Sequence, residues 1–199
     1  MFKLLKCCAF TTSLNMQLFL IASLPISPAN SSTVTDTADS AGEIIISENG
    51  VGPITGQTAF EKKEIERLFP QYTVDKVIRS TEGEEFPALQ VAENGEILLV
   101  INPDYTEASI FSIEVRSSRI RNSTGPGIGF TYSTVIKDSL VSCCTASSEE
   151  YSGYVICRDS RSKHIHYLFS GEYNGPDGEL PPPDILKDWK IKEIIWKPR

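Results

Sequence analysis

Apolar and polar positions along the chain fall into short blocks of two periods, one suited to strands and one to helices. Ile44-Ile45-Ile46 is a β-branched run and Glu48-Asn49-Gly50 turns the chain out of it, which predicts a short strand. Thr58-Ala59-Phe60-Glu61 has the spacing of a capping box, so a helix is predicted to start at Thr58. Phe60, Ile65, Leu68 and Phe69 give that helix an apolar stripe, and Pro70 ends it. Segments 86–92 and 96–102 flank Asn94-Gly95, a pair suited to a turn with φ > 0, and predict a hairpin. Residues 110–116 supply a third strand.

The same order returns further along. Ser133 is placed to cap a helix over 134–144, residues 154–158 and 164–169 read as a hairpin, and 190–196 as the last strand. Gly50 and Gly52 correspond to Gly125 and Gly127, while Thr58, Phe60, Ile65 and Phe69 correspond at the same offset to Ser133, Val135, Leu140 and Cys144. Ile110, Ile113 and Val115 are echoed at a second constant offset by Ile191, Ile194 and Trp196. The expected fold is therefore α+β, with mainly antiparallel sheets: two diverged helix-plus-three-strand units, about 43–120 and 121–199, related by a pseudo-twofold internal repeat within one domain, 43–199. Only the second unit carries an insertion, 170–188. Its Gly171, Gly175 and Gly178 with Pro181-Pro182-Pro183 predict a shaped loop, and Asp184 is placed to cap a short turn over 185–189.

Ahead of the domain, residues 1–29 carry Lys3 and Lys6, no acid, an apolar stretch ending in Leu24, and small residues Ser27 and Ala29. That is the pattern of a secretory signal peptide. Asn15 and Gln17 interrupt the apolar run, so no transmembrane segment is expected in the mature chain. Residues 30–42, rich in Ser, Thr, Ala and Asp, read as a flexible linker. Loss of the two lysines takes the formal net charge from −7 to −9. An acidic body with no basic run argues against nucleic acid as a partner.

Cys143, Cys144 and Cys157 lie beyond the signal segment, and in an oxidising compartment two should pair. Cys144 with Cys157 is the expected disulfide, because one closes the predicted second helix and the other closes the apolar run Tyr154-Val155-Ile156. A loop that short contributes about 3 kcal/mol in the chain-entropy model. Cys143 is left as a small apolar residue or a thiol.

The insertion also carries a resemblance. The run from Tyr167 through Ser170-Gly171-Glu172-Tyr173-Asn174-Gly175-Pro176-Asp177-Gly178, followed by Leu186-Lys187-Asp188-Trp189-Lys190-Ile191 and Ile194-Ile195-Trp196, resembles the C-terminal signature of the RpoE-regulated lipoproteins, a YfeY-like bacterial family of unknown function. The similarity extends back through His164, Cys157, Cys144 and the Gly125–Gly129 turn to Gly50-Val51-Gly52. It implies an α+β envelope protein of Gram-negative bacteria, connected with the envelope-stress regulon and without an established activity. At the N-terminus the chain departs from a lipoprotein pattern, since Cys7 and Cys8 precede the apolar stretch. A periplasmic or secreted form without a lipid anchor is expected.

Candidate chemistry is sparse. The glycine turns lack the Lys-Ser/Thr pair of a phosphate loop, and Pro53 and Pro126 each remove a backbone donor. His164 and His166 share one face if both lie in a strand, and Glu172 or Asp159 could add a ligand, but two histidines do not make a metal site. Ser170 lacks a nucleophile elbow, and Glu172, Asp177 and Glu179 are a set of loop carboxylates whose separation decides any glycosidic chemistry. No catalytic residue, metal or cofactor is assigned. The expected function is a non-enzymatic binding or envelope-stress accessory role toward an envelope protein or cell-wall partner. His164, Glu172, Tyr173, Asp177 and Trp189 are the candidate binding residues. The alternative is a periplasmic hydrolase or metal-dependent enzyme using His164, His166 and the acidic 172–179 loop.

Overall fold

The computed structural model describes residues 43–81, 83–123, 125–147, 151–176 and 178–198. The predicted signal segment and linker lie outside the described residues. Among the described residues, no helix is long and apolar enough to cross a membrane.

A small sheet opens the domain, from β1 (Ile45–Ser47), β2 (Gly50–Val51), β3 (Ile54–Thr55) and β8 (Arg121–Asn122), in the order β3-β2-β1-β8. The main sheet has eight strands: β4 (Thr73–Thr81), β5 (Glu84–Glu93), β6 (Glu96–Pro103), β7 (Ile110–Val115), β9 (Val141–Ala146), β10 (Tyr154–Asp159), β11 (Ile165–Ser170) and β12 (Lys190–Trp196). Their order is β4-β5-β6-β7-β12-β11-β10-β9, every pairing antiparallel. Two four-strand meanders thus meet where β12 pairs with β7. Among the described residues, three short helices, α1 (Lys62–Leu68), α2 (Tyr132–Lys137) and α3 (Pro183–Leu186), complete the α+β fold.

Each stretch read as a helix and three strands contributes four strands to the main sheet. The missed strands are the outermost ones, β4 and β9. In β4, apolar Val74, Val77 and Ile78 do not alternate, because an edge strand buries only Val74 fully. β9 occupies the second half of the helix expected over 134–144. Asp138 and Ser139 end α2, with Ser139 at φ 53°, and the β-prone run from Val141 then pairs with β10.

Helix starts also differ from expectation. The Thr58 capping box does not form: the Thr58 hydroxyl accepts from the Thr55 amide at 3.0 Å, and Ala59 bridges to Ser109, so α1 begins only after Glu61. In α2 the cap is Thr131, two residues ahead of Ser133, and its hydroxyl accepts from the Thr134 amide. α3 starts after Pro182 with no side-chain cap, and Asp184 sits inside its first turn. By contrast, the Asn94-Gly95 turn forms as expected, with φ of 51° and 82°.

One face of the main sheet carries the core. Val91, Leu99, Val115, Ile194, Tyr167 and Cys157 form one buried cross-strand row, and Leu89, Ile101, Ile113, Trp196 and Ile165 form the next. Ile65 of α1, Val135 of α2, Leu186 of α3, and Ile46, Val51 and Ile54 of the small sheet belong to the same apolar cluster. The Cys144–Cys157 disulfide forms, with Cα atoms 4.1 Å apart. It cross-links adjacent strands β9 and β10 rather than closing a helix, and Cys143 beside it is exposed at φ 48°.

Candidate functional site

The opposite face of the main sheet is built differently. Its central row runs Asp75, Gln90, Val100, Glu114, Ile195, His166 and Arg158 across seven strands in register. A row of this kind, with polar residues recurring at alternate positions of apolar strands, ordinarily reads as a solvated face. Here Glu114 is 1 % exposed, with Asn102, Ser112 and Glu193 nearly as buried.

Burial of a carboxylate demands partners, and the strands supply them. Arg79 on β4 reaches Glu114 through Nη1 at 2.6 Å and Asn102 Oδ1 at 2.9 Å. Asn102 donates from Nδ2 to Glu114 at 2.9 Å and to the Ser112 hydroxyl at 3.2 Å. Arg116 bridges Glu114 to Glu193, the latter at 2.9 Å. Burial pushes the Glu114 carboxyl up, but the Arg79 and Arg116 guanidinium groups outweigh it and hold the carboxyl below its ordinary value. Four strands are therefore tied through one ionised, hydrogen-bonded group.

Beside this network lies a cleft of about 540 Å³, within the range of small-molecule sites. Asn102, Ser112, Glu114, Ile156, His166 and Ile195 line its sheet side. Phe86, Tyr105, Phe111 and Tyr151 add aromatic lining, with Lys197 held over the Phe111 ring at 5.2 Å. Tyr105 is 97 % exposed and Phe111 52 %, an unusual amount of aromatic surface to leave beside a polar pocket. The turn that presents Tyr105 is locked by Asp104, which accepts from the Thr106 and Ser109 hydroxyls at 2.8 and 2.7 Å and from the Ala108 amide at 3.2 Å. Those bonds, the Ser109 hydroxyl first, lower the Asp104 carboxyl to about 2.

Of the two histidines, only His166 lines this cleft. Its Nδ1 is buried without a hydrogen-bond partner among the described residues, and burial, then Lys197, pushes its imidazole below the usual value. His164 lies just ahead of β11 and is held elsewhere: Nδ1 meets the Lys197 carbonyl at 2.7 Å, Nε2 lies 3.6 Å from Glu48, and the ring stacks on Trp196. The two rings thus lie in different surroundings. Among the described residues, no group of three or more His, Cys, Asp or Glu side chains is placed to hold a metal ion.

The insertion forms a smaller hollow of about 300 Å³ that brings Tyr173 and Trp189 together with Glu179 and Pro181. Its glycines are required by those rings: a Cβ at Gly175 would overlap the Tyr173 ring, and one at Gly171 the Trp189 indole. Trp189 is only 4 % exposed, so it anchors the loop to the core and offers little surface to a partner. Glu172 is exposed and stands outside the hollow's lining, and Asp177 lies outside the described residues.

Sequence reasoning missed the cleft because its residues come from strands on both sides of the central seam. One signal was present: Asn102, Ser112, Glu114 and Glu193 are polar residues inside strongly apolar strands. Nothing in one dimension says that Arg79 and Arg116 tie them into one network.

A family model described as "Protein of unknown function (DUF1131)" matches residues 31–198. The chain is 33 % identical over 153 residues to "Uncharacterized protein YfeY" of Escherichia coli (strain K12), covering 76 % of this chain and 78 % of that protein. Among solved structures it is similar to the crystal structure of the uncharacterized protein yfeY from Escherichia coli, with a TM-score of 0.62, at 31 % sequence identity over 78 % of this chain and 99 % of that one. The chain therefore belongs to this YfeY-like family of proteins of unknown function.

Proposed function

We propose that the chain is an exported, non-enzymatic binding protein of the bacterial envelope, and that the cleft on the polar face of the main sheet takes a cell-wall saccharide segment. The observation that carries this reading is the pairing of exposed rings with a rigid polar floor. Tyr105 and Phe111 stand beside Asn102 and Glu114, whose positions the arginine network fixes before any ligand arrives. Sugars offer apolar C–H faces for rings and hydroxyls for amide and carboxylate groups, and a preorganised floor limits the entropy lost on binding. Export rests on the N-terminal pattern of Lys3, Lys6 and the apolar stretch before Ala29.

Calorimetric titration with soluble peptidoglycan fragments tests the reading. Binding is expected, weakened about tenfold by Tyr105→Ala or Phe111→Ala, the scale of losing one aromatic contact. Absence of heat with the wild-type protein would remove the saccharide reading. New reducing ends or amines on prolonged incubation would replace it with a hydrolytic one. Cell fractionation that recovers the chain in the cytoplasm at full length would remove the export reading.

The proposal extends to the origin of the fold. The two meanders are read as diverged copies about a pseudo-twofold axis at the Glu114·Ile195 pair. Register supports this: Ile113 faces Trp196 and Val115 faces Ile194, and the two pairs exchange under the offset that relates Ile113 to Ile194 and Val115 to Trp196. A crystal structure in which laying β7 on β12 fails to bring β4–β6 onto β9–β11 would end it.

A further inference from the structure

The two outer edges of the main sheet are unequal. At one end, β9 is short, its pairing with β10 shifts register between Ile156 and Arg158, and Cys143 within it is left-handed. Bulges and left-handed residues blunt an edge against further pairing. At the other end, β4 runs nine residues in unbroken register with β5, from Thr73 opposite Ala92 to Thr81 opposite Glu84. It contains no proline, bulge or left-handed residue, and Ile78 on it is 64 % exposed. Among the described residues it pairs on one side only.

An edge this regular can take another strand, and its sequence identifies which. Thr-Val-Asp-Lys-Val-Ile-Arg-Ser-Thr is complementary to itself when run antiparallel about Val77. Asp75 then faces Arg79 twice, Lys76 faces Ile78, Val74 faces Ser80 and Thr73 faces Thr81. Each pair joins residues of one sheet face, as an antiparallel ladder requires. Moving the centre to Lys76 sets Lys76 against itself. Moving it half a residue toward Ile78 sets Lys76 against Arg79. Among registers that keep the same faces of the two sheets on one side, only this one sets opposite charges against each other.

We infer that the β4 edge is a self-association surface, on which two copies pair β4 to β4 about a twofold axis at Val77. The main sheet would then continue across the axis, with the two Arg79 residues, and the clefts beside them, on the same face. Such an isologous contact closes on itself and leaves only the blunted β9 edges outside.

Replacing Val77 by cysteine tests the register, since only this pairing puts residue 77 against its own copy. In the full-length chain, Val77→Cys is expected to give an intermolecular disulfide between the two introduced thiols under mild oxidation, mapped by peptide mass spectrometry. Lys76→Cys or Ile78→Cys alone should give at least about tenfold less, because each faces the other position rather than itself. Sedimentation velocity on the wild type should show a dimer, and Asp75→Lys should weaken it by about tenfold through two new like-charge pairs. Circular dichroism on Asp75→Lys separates loss of association from loss of fold. A wild-type monomer, equal cross-linking at 76, 77 and 78, or a folded Asp75→Lys chain that dimerises as before would each overturn the inference. None of these outcomes depends on what the cleft binds.

Discussion

Four glycines that look equivalent in sequence have different physical reasons to be glycine. A Cβ on Gly50 would overlap the Ile54 carbonyl, and one on Gly125 would overlap the Tyr167 hydroxyl and meet Asp159 Oδ2 at 2.9 Å. Gly52 is left-handed at φ 56°. At Gly127 the nearest atom is the Phe130 ring, at 4.0 Å. Alanine at Gly125 is therefore expected to cost about 1–3 kcal/mol, because the displaced Tyr167 hydroxyl is held by Asn122 at 2.7 Å and donates to a carboxylate that also accepts from the Arg161 and Ser162 amides. Gly127→Ala should leave the urea midpoint nearly unchanged, and equal loss at both positions would contradict this account. His166 supplies a second prediction. Its depressed pKa means the unfolded chain binds a proton that the folded one resists, so stability falls as pH drops below about 6.5 toward the folded value. His166→Gln should flatten that part of the pH–stability curve, and an NMR titration of the ring should show a midpoint below the ordinary one.

At the level of elements, the Asp104 turn is a rigid mount for Tyr105. A carboxyl lowered to about 2 favours the native turn above its unfolded value near 4, and that contribution is lost only as pH falls through about 2. Asp104→Asn should speed amide exchange at Ala108 and Ser109 at neutral pH while leaving the core amides protected. Element boundaries were legible where turn chemistry is local. Asn94-Gly95 announced its hairpin, and Lys190–Trp196 its strand, because the signals lie within a few residues. They were illegible where distant contacts decided. Thr58 looks like a helix cap, yet the bridge from Ala59 to Ser109 delays α1, and Cys144 looks like the end of a helix until β10 pairs with its segment. The disulfide was foreseen although the helix argument behind it did not hold. Tyr173 and Trp189 line one hollow because the insertion is local in sequence, whereas the arginine-tied cleft draws its residues from many strands.

For the whole molecule, the sequence order foretold an α+β fold of mainly antiparallel strands but missed the outermost strand of each meander. How the meanders join was not foreseeable, since β7 and β12 pair across about half of the domain in sequence. That junction has a consequence for how the molecule is made. β12 is the last strand in chain order but lies in the middle of the main sheet, with β7 on one side and β11 on the other. Until it arrives, the chain is two separate meanders, each with an unsatisfied apolar edge at what will become the centre. A chain made from its N-terminus therefore completes its main sheet only once β12 has emerged. A ribosomal stop or a protease cut before Lys190 would not trim the protein but leave it in halves, a natural checkpoint by which incomplete copies are exposed to degradation.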